Sequence, residues 1–188
     1  MACSISCTHL NEENGTSNRQ VFLTMNTLRL EIINLHAPYR VKQREDKPQH
    51  YYFRTDYGVE YDICLEEDFS IVPSGAYALD ITNREHKRSP LDPMFRMTLI
   101  AIVEEFFERN NDVMLYVTET GDEKQSFRDR LFVRWFNTYE HHDLYYIQTA
   151  EGLMEGQMNF MAMISRKDNP NLSNAILEFE DTVSFLFD

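Results

Sequence analysis

The sequence predicts a single α+β domain: a mixed or mostly antiparallel sheet of six or seven strands, two central helices and a C-terminal amphipathic helix. Three observations predict it. Tyr51 to Thr55 and Val59 to Ile63 are rich in aromatic and β-branched residues and flank the short turn Asp56-Tyr57-Gly58. Leu91 to Phe136 reads as helix, strand, helix and holds much of the aromatic and aliphatic content. From Leu172 onward, apolar residues recur at helical spacing. Each pattern gives an element one apolar face that a neighbour must cover, and a layered core follows.

The size agrees, since 188 residues can bury a sizeable share of their surface as one domain. Hydrophobic residues at 43% and aromatics at 13% exclude a disordered chain. Residues 1–20 read as a flexible polar arm, and 21–188 as the domain. Asn11 to Asn18 contains no apolar residue, so the sequence carries no signal-peptide apolar region at its start. No apolar run approaches the ~20 residues a bilayer requires. Met25 is a candidate alternative start, and Asn14 and Asn171 head glycosylation sequons that have no meaning in the cytoplasm.

The elements follow in order. Val21, Met25, Leu28, Ile32 and Leu35 fit one helix face, while Leu28, Leu30 and Ile32 alternate as in a strand, so periodicity leaves both open. The aromatic segments around Asp56-Tyr57-Gly58 make a hairpin. Ala76 to Thr82 supplies a third strand after the Pro73-Ser74-Gly75 turn. Asp92-Pro93 opens a helix, because an Asp carboxylate accepts orphan amide protons and Pro lacks only a donor the first turn does not need. Phe95, Leu99, Ile102, Val103 and Phe106 form its apolar stripe. Asn110-Asn111 ends it, with a left-handed Asn as the expected stop.

Met114 to Thr118 is a short strand. Asp122 and Gln125 resemble a capping box for a second helix carrying Phe127, Leu131, Phe132, Trp135 and Phe136. Leu144 to Thr149 and Met158 to Ile164 make a hairpin across the loop from Glu151 to Gly156. Leu172, Ile176, Phe179, Val183 and Leu186 form the C-terminal helical stripe, although Leu177 and Phe179 alternating with glutamates also fit a strand.

The chemistry is thin. Six dispersed glycines make no phosphate-cradling loop, and there is no Walker A pattern, dinucleotide fingerprint, nucleophile elbow or His-Glu-x-x-His. No cofactor and no metal are expected. Cys3, Cys7 and Cys64 are too few and odd in number for a disulfide framework, which suits a reducing cytoplasm. Cys3, Cys7 and His9 lack a fourth ligand and a rigid frame, so they read as ordinary tail residues. His141-His142-Asp143 reads as an exposed turn.

Charge is more informative. The acid excess, 31 Asp and Glu against 18 Lys and Arg, repels phosphate backbones and makes nucleic acid an improbable partner. Two cationic groups stand out. Arg84, Lys87, Arg88 and Arg96 surround the start of the first strong helix, whose amides already favour an anion. On the second helix Arg128 falls within the apolar arc, and Arg130 and Arg134 lie one turn apart, where an acid or an anionic ligand must bridge them. Arg84, Lys87, Arg88, Arg96, Arg128, Arg130 and Arg134 are therefore the candidate anion-binding set. No residue is marked as catalytic. The expected role is a non-catalytic cytoplasmic interaction or regulatory protein whose acidic surface captures a basic protein. The alternative is a diverged acyltransferase-like enzyme or small-anion binder.

Two resemblances bear on this. Tyr52-Phe53-Arg54-Thr55-Asp56-Tyr57-Gly58-Val59-Glu60-Tyr61, Asn83-Arg84, Pro90-Leu91-Asp92-Pro93 with Thr98, and Arg128-Asp129-Arg130-Leu131-Phe132 with Trp135-Phe136 resemble a family of small bacterial proteins known only as a domain of unknown function. That similarity spans about residues 39–165 and implies no activity. The order of strands and helices is also similar to the later part of the Gcn5-related acetyltransferase fold. There Phe132 would stand in the place of a tyrosine that can serve as general acid, where it has no proton to donate, and the stretch Arg84 to Pro93 has none of the glycines of the pyrophosphate loop.

Overall fold

The computed structural model describes residues 25–87, 90–119, 138, 140–154 and 157–187. Among these residues seven strands form one sheet: β1 (Lys42–Arg44), β2 (Lys47–Arg54), β3 (Glu60–Asp68), β4 (Ala76–Asn83), β5 (Val113–Glu119), β6 (Tyr145–Met154) and β7 (Gln157–Arg166). Their spatial order is β1-β2-β3-β4-β5-β7-β6, antiparallel at every junction except β4 with β5, which run parallel. Among the described residues three α-helices accompany them: α1 (Leu30–His36), α2 (Pro93–Arg109) and α3 (Leu172–Leu186). None of the described helices is long and apolar enough to cross a membrane.

The β2–β3 hairpin forms where its aromatic pattern places it. Thr55 donates its amide to the Val59 carbonyl at 2.9 Å, and Gly58 donates to Thr55 at 2.9 Å. Gly58 has φ +73°, a left-handed conformation that costs glycine little. Strand alternation then sends Tyr51, Phe53, Ile63 and Leu65 to one face, where all four are buried. Strand β1 was not legible in the sequence. It has three residues, lies on the sheet edge, and shifts register between Gln43 and Arg44.

Helix α2 starts as its sequence dictates: the Asp92 carboxylate accepts the Met94 amide at 2.9 Å with Pro93 at the first position. Its buried surface is wider than the predicted stripe. Leu99, Ile102, Val103 and Phe106 are buried with Ala101, Glu105 and Phe107, because α2 has the sheet on one side and the α1 segment on another. Phe95 is only partly buried, against Phe53 and Tyr61. The helix ends at Asn110, but not by a left-handed residue. Asn110 is extended (φ −131°, ψ 131°), and its amide and its side-chain Nδ2 both donate to the Phe106 carbonyl, at 2.8 and 3.0 Å. A short polar side chain closes this helix by hydrogen bonding rather than by backbone handedness.

The ambiguous segment before residue 36 resolves as a seven-residue helix. Leu28 and Ile33 are buried, whereas Leu35, expected on the apolar face, is 75% exposed. The last hairpin is longer than expected. Pairing of β6 with β7 continues to Met154 opposite Gln157, so Glu151 to Met154 belongs to a strand rather than to the loop. Helix α3 forms at the C-terminal stripe and packs Ala175 and Phe179 on Met161 and Met163 of β7 and Leu115 of β5. The second predicted helix, from Asp122 to Phe136, lies outside the described residues.

The core consequently has two layers. One lies between the sheet and α1 and α2, centred on Tyr77, Met114 and Phe106, and the other lies under α3. Phe106 is fully buried, edge-on to Tyr77 with ring centroids 5.5 Å apart and edge-on to Phe107 at 5.1 Å. Phe106→Ala is expected to lower stability by about 3–5 kcal/mol, the usual cost of removing a large buried aromatic. Denaturant melts of the two proteins give the number, and near-identical midpoints would show that α2 is not the keystone of the core.

Candidate functional site

The face of β2–β4 turned away from α2 is polar, and the hairpin register decides who meets whom. His50 lies opposite Cys64 and Cys64 opposite Asp80; one row along, Tyr52, Asp62 and Thr82 are aligned. Cross-strand partners share a face, so these residues and Glu66, two positions beyond Cys64, project together. His50, Asp62, Cys64, Asp80, Thr82 and Arg84 line a cavity of about 310 Å³.

At one end of the cavity is a charge cluster. Asp62 is buried and receives Arg44 through Nη2 at 2.7 Å and Nε at 3.1 Å, and Arg84 through a short Nε contact. Arg44 also donates to Glu60 at 2.8 Å and lies 3.9 Å over the Tyr52 ring. Burial alone would raise the Asp62 pKa, but the hydrogen bonds from Arg44 and Arg84 and their charges outweigh it and hold the carboxyl below its ordinary value.

At the other end are a thiol, an imidazole and a carboxylate. Cys64 Sγ lies 3.3 Å from His50 Nε2, which lies 3.6 Å from Glu66 Oε1. Burial, followed by the charge of Glu66, pushes the Cys64 thiol up to about 12. A thiol so held is not an activated nucleophile at neutral pH, because the attacking species is the thiolate. Thr82 donates its hydroxyl to Asp80 at 2.8 Å.

Of the cations singled out in the sequence, the three among the described residues have different partners. Arg84 turns to Asp62, and Lys87 joins Arg54 on Glu85, at 3.2 and 2.9 Å. Arg96 donates to the Thr138 hydroxyl at 2.9 Å. Arg88, Arg128, Arg130 and Arg134 lie outside the described residues. The start of α2, the expected anion seat, holds the chain's own Asp92, whose second oxygen accepts the Tyr39 hydroxyl at 2.8 Å. His142 opens a short 3₁₀ turn, His142–Leu144, and both His141 and His142 are exposed as expected.

His50, Cys64 and Glu66 form no recognisable motif in the sequence. The signal was present: Cys64 and Glu66 alternate on one strand, and counting back from the Asp56-Tyr57-Gly58 turn sets His50 opposite Cys64. What hid them was the 14-residue separation, which matches no metal or catalytic spacing motif.

Comparison with known proteins adds one finding. Residues 91–181 match a family of unknown function (DUF6169). The matched segment runs from the residue before the α2 cap into α3, so it takes in the Asp92-Pro93 and Arg128–Phe136 motifs and leaves out the β2–β3 hairpin. It starts later and ends later than the motifs noted in the sequence indicate. No curated protein and no solved structure matches the chain.

The Asp62 cluster makes a pH prediction. A carboxyl whose folded pKa is depressed contributes stability that is present above its unfolded pKa of ~3.9 and is lost as pH falls through the folded value. Asp62→Asn is therefore expected to cost about 1–3 kcal/mol at pH 7 by leaving Arg44 and Arg84 without their charged acceptor. The deficit against wild type should shrink on acidification below that unfolded value. Thermal melts across the acid range check the sign, and a deficit independent of pH would show that shape rather than charge is lost.

Proposed function

We propose that this chain is a non-catalytic interaction protein that binds a basic, amphipathic segment of a partner protein. The observation that carries the reading is the outward ridge of α3. Leu177, Asp181 and Phe185 recur every four residues along it, with Leu177 60% and Phe185 83% exposed, and the exposed Glu180 lies beside them. Large apolar side chains left in water next to carboxylates suit a helix that presents lysines and arginines around an apolar stripe. Charge elsewhere supports this. Arg29, Arg44, Arg54, Arg84, Lys87 and Arg166 each face a carboxylate of the chain itself, so the net charge of −13 is displayed outward.

A second reading rests on a different place. Strands β4 and β5 pair through only three residue couples, Ala76–Val113, Tyr77–Met114 and Ala78–Leu115, while β4 continues to Asn83 and β5 to Glu119. Parted parallel strands offer backbone groups to an extended ligand rich in amides, such as the arm of an acyl-coenzyme A. This is the alternative that the acetyltransferase resemblance implies. It ranks second because Asp92 already occupies the start of α2, where a pyrophosphate would need the amides.

Titration calorimetry of the full chain with a lysine-rich amphipathic helical peptide separates the two. Binding is expected at low salt, weakening as ionic strength rises, and is expected to be lost in the Leu177→Ser/Phe185→Ser double variant, whose exposed positions leave the fold intact. Unchanged binding in that variant would refute the α3 surface. A melting shift with acetyl-coenzyme A, together with no response to the peptide, would favour the second reading.

A further inference from the structure

We propose that His50, Cys64 and Glu66 form a binding site for a divalent cation of the zinc class. The three ligand atoms, Nε2, Sγ and a carboxylate oxygen, all lie within 4.8 Å of one another. The two measured separations match what one ion requires. A tetrahedral zinc with the usual bond lengths holds sulfur and nitrogen about 3.6 Å apart and nitrogen and oxygen about 3.4 Å apart. Here the pairs stand at 3.3 and 3.6 Å, so an ion enters with shifts of a few tenths of an ångström.

The frame is rigid in the way such a site needs. His50 and Cys64 are a directly paired couple of the β2–β3 ladder, and Cys64 and Glu66 alternate on one strand, so all three originate from hydrogen-bonded sheet. The donor set mixes one soft and two harder ligands, which suits zinc over magnesium or calcium. Three protein ligands leave a fourth position toward the cavity shared with Asp80 and Thr82, as in zinc sites that keep a water or accept a ligand. Cys64 is 7% exposed, so the sulfur is shielded while its neighbours reach the surface. The site falls outside residues 91–181 and depends on neither reading of α3 nor of the β4–β5 junction.

Binding displaces a proton. The ion takes the sulfur as thiolate, so the thiol proton leaves as the metal binds. The charged groups facing the thiol are Glu66 on its own strand, Asp80 on β4 and Lys47 on β2. The two carboxylates favour the cation, and Lys47 opposes it.

Cobalt(II) is the probe, added to the reduced full-length protein at neutral pH. One equivalent is expected to give a thiolate-to-metal charge-transfer band in the near ultraviolet and to be displaced by zinc chloride. Cys64→Ser should abolish the band, and Glu66→Gln, at an exposed position, should weaken cobalt binding at least tenfold with melting unchanged. A Cys3→Ser/Cys7→Ser variant should keep the full band. Absence of the band in the wild type, or its loss in the Cys3/Cys7 variant with retention in Cys64→Ser, would overturn the assignment.

Discussion

The architecture depends on how the two halves of the sheet are joined. A meander of β1 to β4 and a group of β5 to β7 meet at a parallel junction of three residue pairs. So short a ladder cannot hold two blocks of sheet by hydrogen bonds alone, since each contributes only about a kilocalorie per mole net. Helix α2 supplies the rest. It is the crossover that makes β4 and β5 parallel, and it lays Phe106 over Tyr77 of β4 within a cluster that includes Met114 of β5. On its other side the buried Glu105 accepts the backbone amide, Nε and Nη2 of Arg29, at 3.0, 2.8 and 3.1 Å, which fixes the start of α1. The middle of the sheet, the first core layer and the N-terminal helix thus share one element.

The second constraint is electrostatic. A chain with 31 acidic residues must keep like charges apart in its folded state. It does so by giving its arginines to the places where carboxylates crowd: Arg44 and Arg84 at Asp62, Arg54 and Lys87 at Glu85, and Arg166 between Glu108 and Asp168 at 2.9 and 2.8 Å. The buried carboxylates Asp62 and Glu105 each have an arginine partner at hand.

Much of the fold was legible because it is written in local periodicity. The β2–β3 hairpin, the Asp92-Pro93 start of α2 and the stripe of α3 each rest on residues a few positions apart. Features whose partners are distant in the chain leave no such local mark. Leu35 fits a helical face on paper, yet it is exposed, while Leu28, just before α1, and Ile33 within it are buried on either side of Arg29, whose partner Glu105 is 76 residues away. Strand β1 has no pattern of its own and exists because β2 offers an edge. The site shows the same division: Arg84 and Lys87 are neighbours in sequence, but the structure sends them to different carboxylates, Asp62 and Glu85. His50, Cys64 and Glu66 were invisible as a motif and meet only through register.

The three-pair junction also bears on the order in which the chain can acquire structure during synthesis. Strands β1 to β4 pair only with their sequence neighbours, so that meander has its ladder partners as soon as Asn83 is available. Its apolar face, with Tyr51, Phe53, Ile63 and Tyr77, must then wait for α2. Between those two moments the nascent chain presents a ready-made sheet with a greasy face and an open β4 edge, the kind of surface to which holding chaperones and stray strands are drawn. The interval closes when the crossover lands, and the roughly 30 residues from β4 to β5 set how long it lasts.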